Sequence, residues 1–410
     1  MPALLVTDSK YKFVPPHEGN FLPRVLSRVM AIFRRRKYCV DRVEIRGEET
    51  LAQLVKSGHG ILLAPNHSRM TDAMVLQDLA MKIRQPFFIM ASSHLFRGSK
   101  TLAWMLRGLG AFSVYREGID RQAIQKSIDI LSEAQRPLVL FPEGALSQAN
   151  DHLNSLQEGF SFIARSAAAK IERSEANGSG RKIYTLPVGI RYVYEGDIEH
   201  AAGQMLGSIE QRLSWKVQQG QCLVTRIYRV GNALLSLKEQ EYLGQSQQGE
   251  LEERLERLIN HLLVPLEQEW LGGPKTDSVI LRVKELRRAI MPAMVDGNLA
   301  PEEMARRWKH LDDSNFAQSL SLYPARYVAS NPTSERILET VERFNEHLNG
   351  DETPHGPMKA IVQIGEPIEV PAKRDRTAKS DPLLAAVEQQ LTKLLGDTAK
   401  ECHPYTARGK

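Results

Sequence analysis

His67 stands five residues ahead of Asp72, between an apolar run and the start of a helical pattern. The segment Gly60-Ile61-Leu62-Leu63-Ala64-Pro65-Asn66-His67-Ser68-Arg69-Met70-Thr71-Asp72 reads as a short buried strand, a turn and a helix start. α/β sheets place reacting groups where a strand empties into such a loop. There an imidazole can act as a general base, with a carboxylate orienting its ring and fixing which nitrogen is bare. A lone histidine–acid pair also arises by chance, and a histidine at a strand end can simply cap a helix or bond a carbonyl. The neighbouring segments strengthen the catalytic alternative. Leu138-Val139-Leu140-Phe141-Pro142-Glu143-Gly144 is a second apolar run that ends in a carboxylate and a glycine. Gly110-Ala111-Phe112-Ser113-Val114-Tyr115-Arg116 delivers an arginine at its end, and Leu186-Pro187-Val188-Gly189-Ile190 supplies apolar walls. A base, an acid, a cation and an apolar slot can thus share one sheet edge.

The elements that must position these groups alternate between about 41 and 230. Strands are expected at Val43–Arg46, Ile61–Ala64, Pro86–Ala91, Ala111–Val114, Leu138–Phe141 and Ile183–Tyr192. Helices are expected at Glu49–Ser57, Thr71–Ile83, Lys100–Gly108, Arg121–Glu133 and Glu158–Ile171. This alternation implies an α/β fold with a mixed, largely parallel sheet flanked by helices. An extra helical region follows, with apolar stripes in Glu250–Trp270, Ser278–Met291, Pro301–Leu311 and Ser334–Leu348. A strand at 359–370, containing Gly365 and Pro367, and a helix at Asp381–Leu395 close the chain. The proline argues for an edge strand or a strand end.

The expected organisation is therefore a basic amphipathic segment at 1–40, an α/β domain at 41–234 and a helical insertion or domain at 235–355. A strand and helix at 356–398 rejoin the α/β domain, and a tail occupies 399–410. A separate C-terminal helical domain is the alternative to an insertion. Asn177-Gly178-Ser179-Gly180 reads as a surface loop, and 351–357 and 371–380 as exposed links. No fixed-period repeat is expected.

With 42% hydrophobic and 25% charged residues, the composition is that of a folded globular chain. Three scattered cysteines fit neither a disulfide framework nor a zinc site. No apolar run reaches the roughly 18 residues that span a bilayer, and Met1–Asp8 lacks the pattern of a signal peptide. A cytoplasmic location is the expectation.

Between Gly19 and Val40 stand Arg24, Arg28, Arg34, Arg35, Arg36 and Lys37, with no acid among them. Leu22, Val25, Leu26, Val29, Met30 and Phe33 recur at helical spacing. Such a helix suits peripheral contact with an anionic membrane, here its inner face. Packing of the same stripe on the domain is the alternative. The cluster has few interleaved aromatics, which argues against nucleic acid.

The four blocks, in this order, resemble those of the glycerolipid acyltransferase family that includes lysophosphatidic acid acyltransferases. That family is marked by a His, four residues and an Asp, then Gly-x-x-Phe/Ile-x-x-Arg, Phe-Pro-Glu-Gly and a Val/Ile-Pro-Val block. The resemblance spans roughly 41–195. It implies a glycerolipid acyltransferase-like fold in which His67 takes a proton from an acceptor hydroxyl and Asp72 orients the imidazole. The hydroxyl then attacks the thioester of acyl-CoA or acyl carrier protein. A lyso-phospholipid such as 1-acylglycerol-3-phosphate is the implied acceptor, with Arg116 on its phosphate and Glu143 and Gly144 shaping its pocket. No metal or organic cofactor is implied. Two departures bear on the acceptor. Arg69 occupies a position often held by serine, and Ala145-Leu146-Ser147 follows Phe-Pro-Glu-Gly where Thr-Arg-Ser is common. Arg69 is either a substitute cation in the site or a solvent-facing residue of the helix's first turn. Arg116 has an ion pair with Glu117 as its alternative, and Glu143 a capping role.

Overall fold

The computed structural model describes residues 11–174, 180–296, 299–323, 326–350, 353–375, 377–378 and 380–407. The chain start at 1–8 and most of the expected loop at 177–180 lie outside them, as do 351, 352, 376 and 379 of the two expected links.

Two compact units are formed. The α/β unit comprises 11–195 and 356–401; the helical unit takes 196–355 and the segment from Cys402. The first half of the α/β unit runs α1 (Phe21–Tyr38), β1 (Val40–Arg46), α2 (Glu48–Lys56), β2 (Gly60–Pro65), α3 (Asp72–Lys82) and β3 (Phe88–Ser92). It continues through α4 (Lys100–Gly108), β4 (Ala111–Val114), α5 (Arg121–Glu133), β5 (Leu138–Val139), α6 (Glu158–Ser174) and β6 (Ile183–Tyr194). The helical unit holds α7 (Ile198–Arg212), α8 (Leu223–Leu243), α9 (Leu251–Leu271), α10 (Val279–Asp296), α11 (Pro301–Ser321), α12 (Tyr327–Ser330) and α13 (Ser334–Asn349). The chain then returns to the α/β unit with β7 (Met358–Ile364), β8 (Ile368–Glu369) and α14 (Pro382–Ala399).

The strands form one sheet in the order β1-β7-β6-β2-β5-β3-β4, with β8 beside β6. β6, β2, β5, β3 and β4 pair in parallel, whereas β7 and β8 run antiparallel to β6. β2 is buried at every position, as a strand covered by helices on both faces must be. Its start requires glycine, because a Cβ on Gly60 would lie 2.2 Å from the Leu131 carbonyl oxygen. Leu62, Phe88, Phe112, Leu138, Phe160 and Leu391 share one core on the sheet. Asp381 caps α14 by accepting the Leu383 N–H at 2.9 Å and is gripped by Arg165 of α6. Pro367 sits between β7 and β8, at a strand end, and the Gly365 N–H donates to the Pro187 carbonyl at 2.8 Å.

Three expectations need correction. The boundary drawn at 234/235 falls inside α8, because 196–234 holds no strand and its two helices join the helical unit. Residues 402–407 are no free tail: the Ser334 N–H donates to the His403 carbonyl at 2.9 Å, and the Tyr405 hydroxyl donates to Glu199 at 2.7 Å. Finally, the helical unit contains a repeat. Arg226, Arg254 and Arg282 stand 28 residues apart, and Glu239-Gln240-Glu241-Tyr242-Leu243-Gly244 returns as Glu267-Gln268-Glu269-Trp270-Leu271-Gly272. Each arginine closes on a glutamate of the preceding helix: Arg226 on Glu210, Arg254 on Glu239 and Arg282 on Glu267. Asn232 and Asn260, at equivalent positions, accept from Arg254 and Arg282. Stacked helical repeats of this kind bury a continuous core between neighbours.

The amphipathic helix also resolves differently. Leu26 and Met30 of α1 pack with Leu109, flanked by Leu22, Met74 and Met105. Arg34 is buried and pairs with Asp78 at 3.3 Å. Phe21, Val25, Val29, Ile32 and Phe33 remain exposed. The apolar residues of the helix therefore divide between an inward and an outward stripe.

Candidate active site

β2 ends at Pro65, and Asn66 extends it by pinning β6: its amide donates to the Ile190 carbonyl at 3.0 Å and accepts the Ile190 N–H at 2.7 Å. That clamp fixes the backbone from which His67 projects. Asp72, the first residue of α3, is fully buried. Its Oδ2 meets His67 Nδ1 at 2.9 Å and accepts the N–H groups of Ser68 and Arg69 at 2.8 and 3.0 Å. Its Oδ1 accepts the Tyr192 hydroxyl at 2.7 Å, which in turn accepts from Thr71 at 2.8 Å. The N-terminus of α3 and four hydrogen-bond donors surround this carboxylate. An ionised carboxylate only accepts, so Nδ1 carries the hydrogen and Nε2 is left as the basic nitrogen. Burial and the Asp72 charge hold the Tyr192 phenol well above its ordinary range, so it stays a neutral donor.

The imidazole lies against Phe141, with ring centroids 4.0 Å apart. Glu143 reaches His67 from the same loop, but through the backbone. One carboxyl oxygen accepts the His67 N–H at 2.6 Å and the other the Asn154 N–H at 2.8 Å. Its side chain is wholly buried. Glu143 thus ties the His67 loop to the backbone at Asn154. Gly144 adopts φ +67°, which favours glycine, and its carbonyl accepts from the Arg116 guanidinium. Arg116 is therefore at the same edge, with its side chain on Gly144. His94 is neutral there, since burial and then Arg116 lower its pKa to about 4. The Arg69 guanidinium lies 5.5 Å from the Tyr192 ring centroid. It therefore stands over the residue that braces Asp72.

All six expected residues are joined in one network. Sequence reasoning missed Asn66, Asn154 and Tyr192. Tyr192 and Asn154 are far along the chain from His67 and carry no local signal; Asn66 was visible as a polar residue ending an apolar strand.

Burial pushes the Glu143 carboxyl up from 4.5 to about 8, against the pull of its two N–H donors. A raised carboxyl favours the folded state below its ordinary pKa, and that advantage is lost as pH rises through about 8. Between pH 4.5 and 8.5 the unfolding free energy of the wild type should therefore fall relative to Glu143→Gln by on the order of 3 kcal/mol. Urea titrations at the two pH values measure it, and parallel profiles would contradict it.

A bare imidazole nitrogen beside a buried carboxylate is an arrangement that can activate a hydroxyl. Residues 42–191 match the Acyltransferase family. A stretch of 111 residues is 33% identical to the 1-acyl-sn-glycerol-3-phosphate acyltransferase of Streptococcus pneumoniae (strain ATCC BAA-255 / R6). It covers 27% of this chain and 39% of that protein, so the chain spans about two fifths of the curated relative it matches. The likeness to the Acyltransferase family thus covers 42–191, the stretch that carries His67, Asp72, Arg116 and Glu143.

Proposed function

We propose that the protein is a membrane-associated O-acyltransferase. It moves a fatty acyl group from acyl-CoA or acyl carrier protein to a hydroxyl of a lyso-phospholipid such as 1-acylglycerol-3-phosphate. The observation that carries this reading is the 2.9 Å contact of His67 Nδ1 with the buried Asp72 carboxylate. His67 Nε2 takes the acceptor hydroxyl's proton as the oxygen attacks the thioester carbonyl. Asp72 stabilises the imidazolium. The tetrahedral intermediate collapses, its C–S bond breaks, and the imidazolium returns the proton to the leaving thiolate. General-base action is typically worth about 10²–10⁴-fold. These steps require no metal or organic cofactor. Arg116 and Arg69 are the cations for an acceptor phosphate, the guanidinium fork being suited to its oxygens. Residues 145–147 offer no arginine, which favours testing other lyso-lipid acceptors beside the phosphate monoester. Transfer from a thioester donor to a panel of lyso-lipids identifies the acceptor. A purely lipid-binding protein would have no use for the base and its orienting acid.

The membrane contact rests on α1. Its exposed stripe from Phe21 to Phe33 is flanked by the exposed Arg24, Arg28, Arg35, Arg36 and Lys37. Trp104 and Leu102 of the adjoining α4 are exposed as well. No helix among the described residues is long and apolar enough to cross a membrane. An apolar stripe edged by cations suits the interface of an anionic leaflet, here the cytoplasmic face of the membrane. The double variant Val29→Glu/Ile32→Glu should bind anionic vesicles at least about tenfold more weakly. Unchanged sedimentation with such vesicles would remove this part of the reading.

A further inference from the structure

We infer that the helical unit holds a binding site of its own for an acyl chain with an anionic head group. The site is a cavity of about 270 Å³ walled by α8, α9, α11, α12 and α13. Its size is near the lower end of small-molecule pockets, and an apolar cavity of even about 150 Å³ takes up apolar guests.

The walls settle the body of the ligand. Leu234, Leu235, Leu251, Leu255 and Phe344 are apolar, and the polar side chains between them are engaged. The Thr340 hydroxyl donates to the Arg336 carbonyl at 2.8 Å, that of Tyr323 to the Arg343 carbonyl at 3.2 Å, and that of Tyr327 to Glu339 at 2.7 Å. A guest that needs hydrogen bonds along its length would find few partners, whereas methylenes lose nothing.

The charges settle its head. Among the described residues no aspartate or glutamate lines the cavity, but Lys238 and Arg343 do. Arg343 lies 4.8 Å from the Tyr323 ring centroid. Lys238 pairs with Glu241 at 2.7 Å, a half-exposed surface pair that an anion can exchange at small cost. Burial lowers His347 to about 4, so it adds a neutral ring and no third charge. Fatty acids and lyso-phospholipids share the required chemistry, an apolar chain with an anionic end. The inference does not rest on acyl transfer, because binding is read directly.

The test uses the full chain carrying His67→Ala, so that nothing turns over, and the fluorescent fatty acid cis-parinaric acid. Gly231 marks the wall: a Cβ there would lie 3.3 Å from Phe344 Cζ, so a large side chain must enter the cavity. Adding Gly231→Phe should weaken parinarate binding at least about tenfold. Lys238→Gln should weaken displacement by oleate about threefold and leave displacement by methyl oleate unchanged. Displacement by oleate alone assigns a fatty-acid site, and displacement by 1-oleoyl-lysophosphatidate as well assigns a lyso-phospholipid site; either supports the inference. Undiminished binding by folded Gly231→Phe, or equal displacement by methyl oleate and oleate, overturns it. Should that variant fail to fold, a diazirine fatty acid on the otherwise intact chain gives the answer. Label on α8 or α13 supports the site, and label confined to 11–195 overturns it.

Discussion

Asp72→Asn should lower kcat for acyl transfer by about 10²–10³-fold with little change in KM. The hydrogen bonds dictate how the amide sits. Oδ2 of Asp72 serves His67 Nδ1 and two backbone N–H groups, so the amide oxygen must take that place. The amide nitrogen then faces the Tyr192 hydroxyl, which can turn from donor to acceptor and give its hydrogen to Thr71. The ring orientation and tautomer of His67 survive. What is lost is the negative charge that stabilises the imidazolium formed as the hydroxyl attacks. The defect should therefore fall on the chemical step, and steady-state kinetics on a folded variant measures it. A variant with wild-type kcat would mean that His67 does not gain a proton during turnover.

Glu239→Ala should destabilise the helical unit by about 3–5 kcal/mol. Glu239 and Arg254 are both buried, and the carboxylate takes two guanidinium hydrogen bonds at 2.9 and 2.7 Å. The same carboxylate accepts the Gln247 N–H at 2.9 Å, and the arginine holds its carboxyl below the usual range. Removing the acid strands a charge in the core and frees a loop N–H. The double variant Glu239→Leu/Arg254→Met removes both charges and should recover most of the loss, because the desolvation cost disappears with them. Guanidinium denaturation of wild type and both variants measures the pattern. A cost near zero for the single variant would show that the repeated clasps do not carry the stability of the unit.

The α/β unit was legible because local pattern and tertiary role agree there. The apolar run of β2 is buried on both faces, and the histidine that ends it lies where parallel sheets present reacting groups. Asp72 could be read from its place, five residues after His67 and seven after the end of β2, where α3 begins. The bond from the His67 N–H to Glu143 was not legible. A carboxylate at a sheet edge looks the same in sequence whether it faces substrate or folds back onto the His67 N–H. Tyr192 was hidden by its place 120 positions after Asp72. The amphipathic reading of α1 treated its apolar residues as one stripe, whereas Leu26 and Met30 turn inward and Val29 and Ile32 outward. The 28-residue repeat escaped because its signature is an Arg–Glu–Asn clasp between successive helices and one short polar hexapeptide, not an apolar period.

The central claim is that His67 Nε2 accepts the proton of an acceptor hydroxyl as that hydroxyl attacks a thioester. The most direct measurement is acyl transfer from a thioester donor to lyso-lipid acceptors in anionic vesicles, comparing the wild type with His67→Ala. Wild-type transfer to at least one acceptor, reduced about 10²–10⁴-fold in a variant that stays folded and still binds vesicles, is the predicted result. Equal transfer by the two proteins, or none by the wild type to any acceptor, would contradict it.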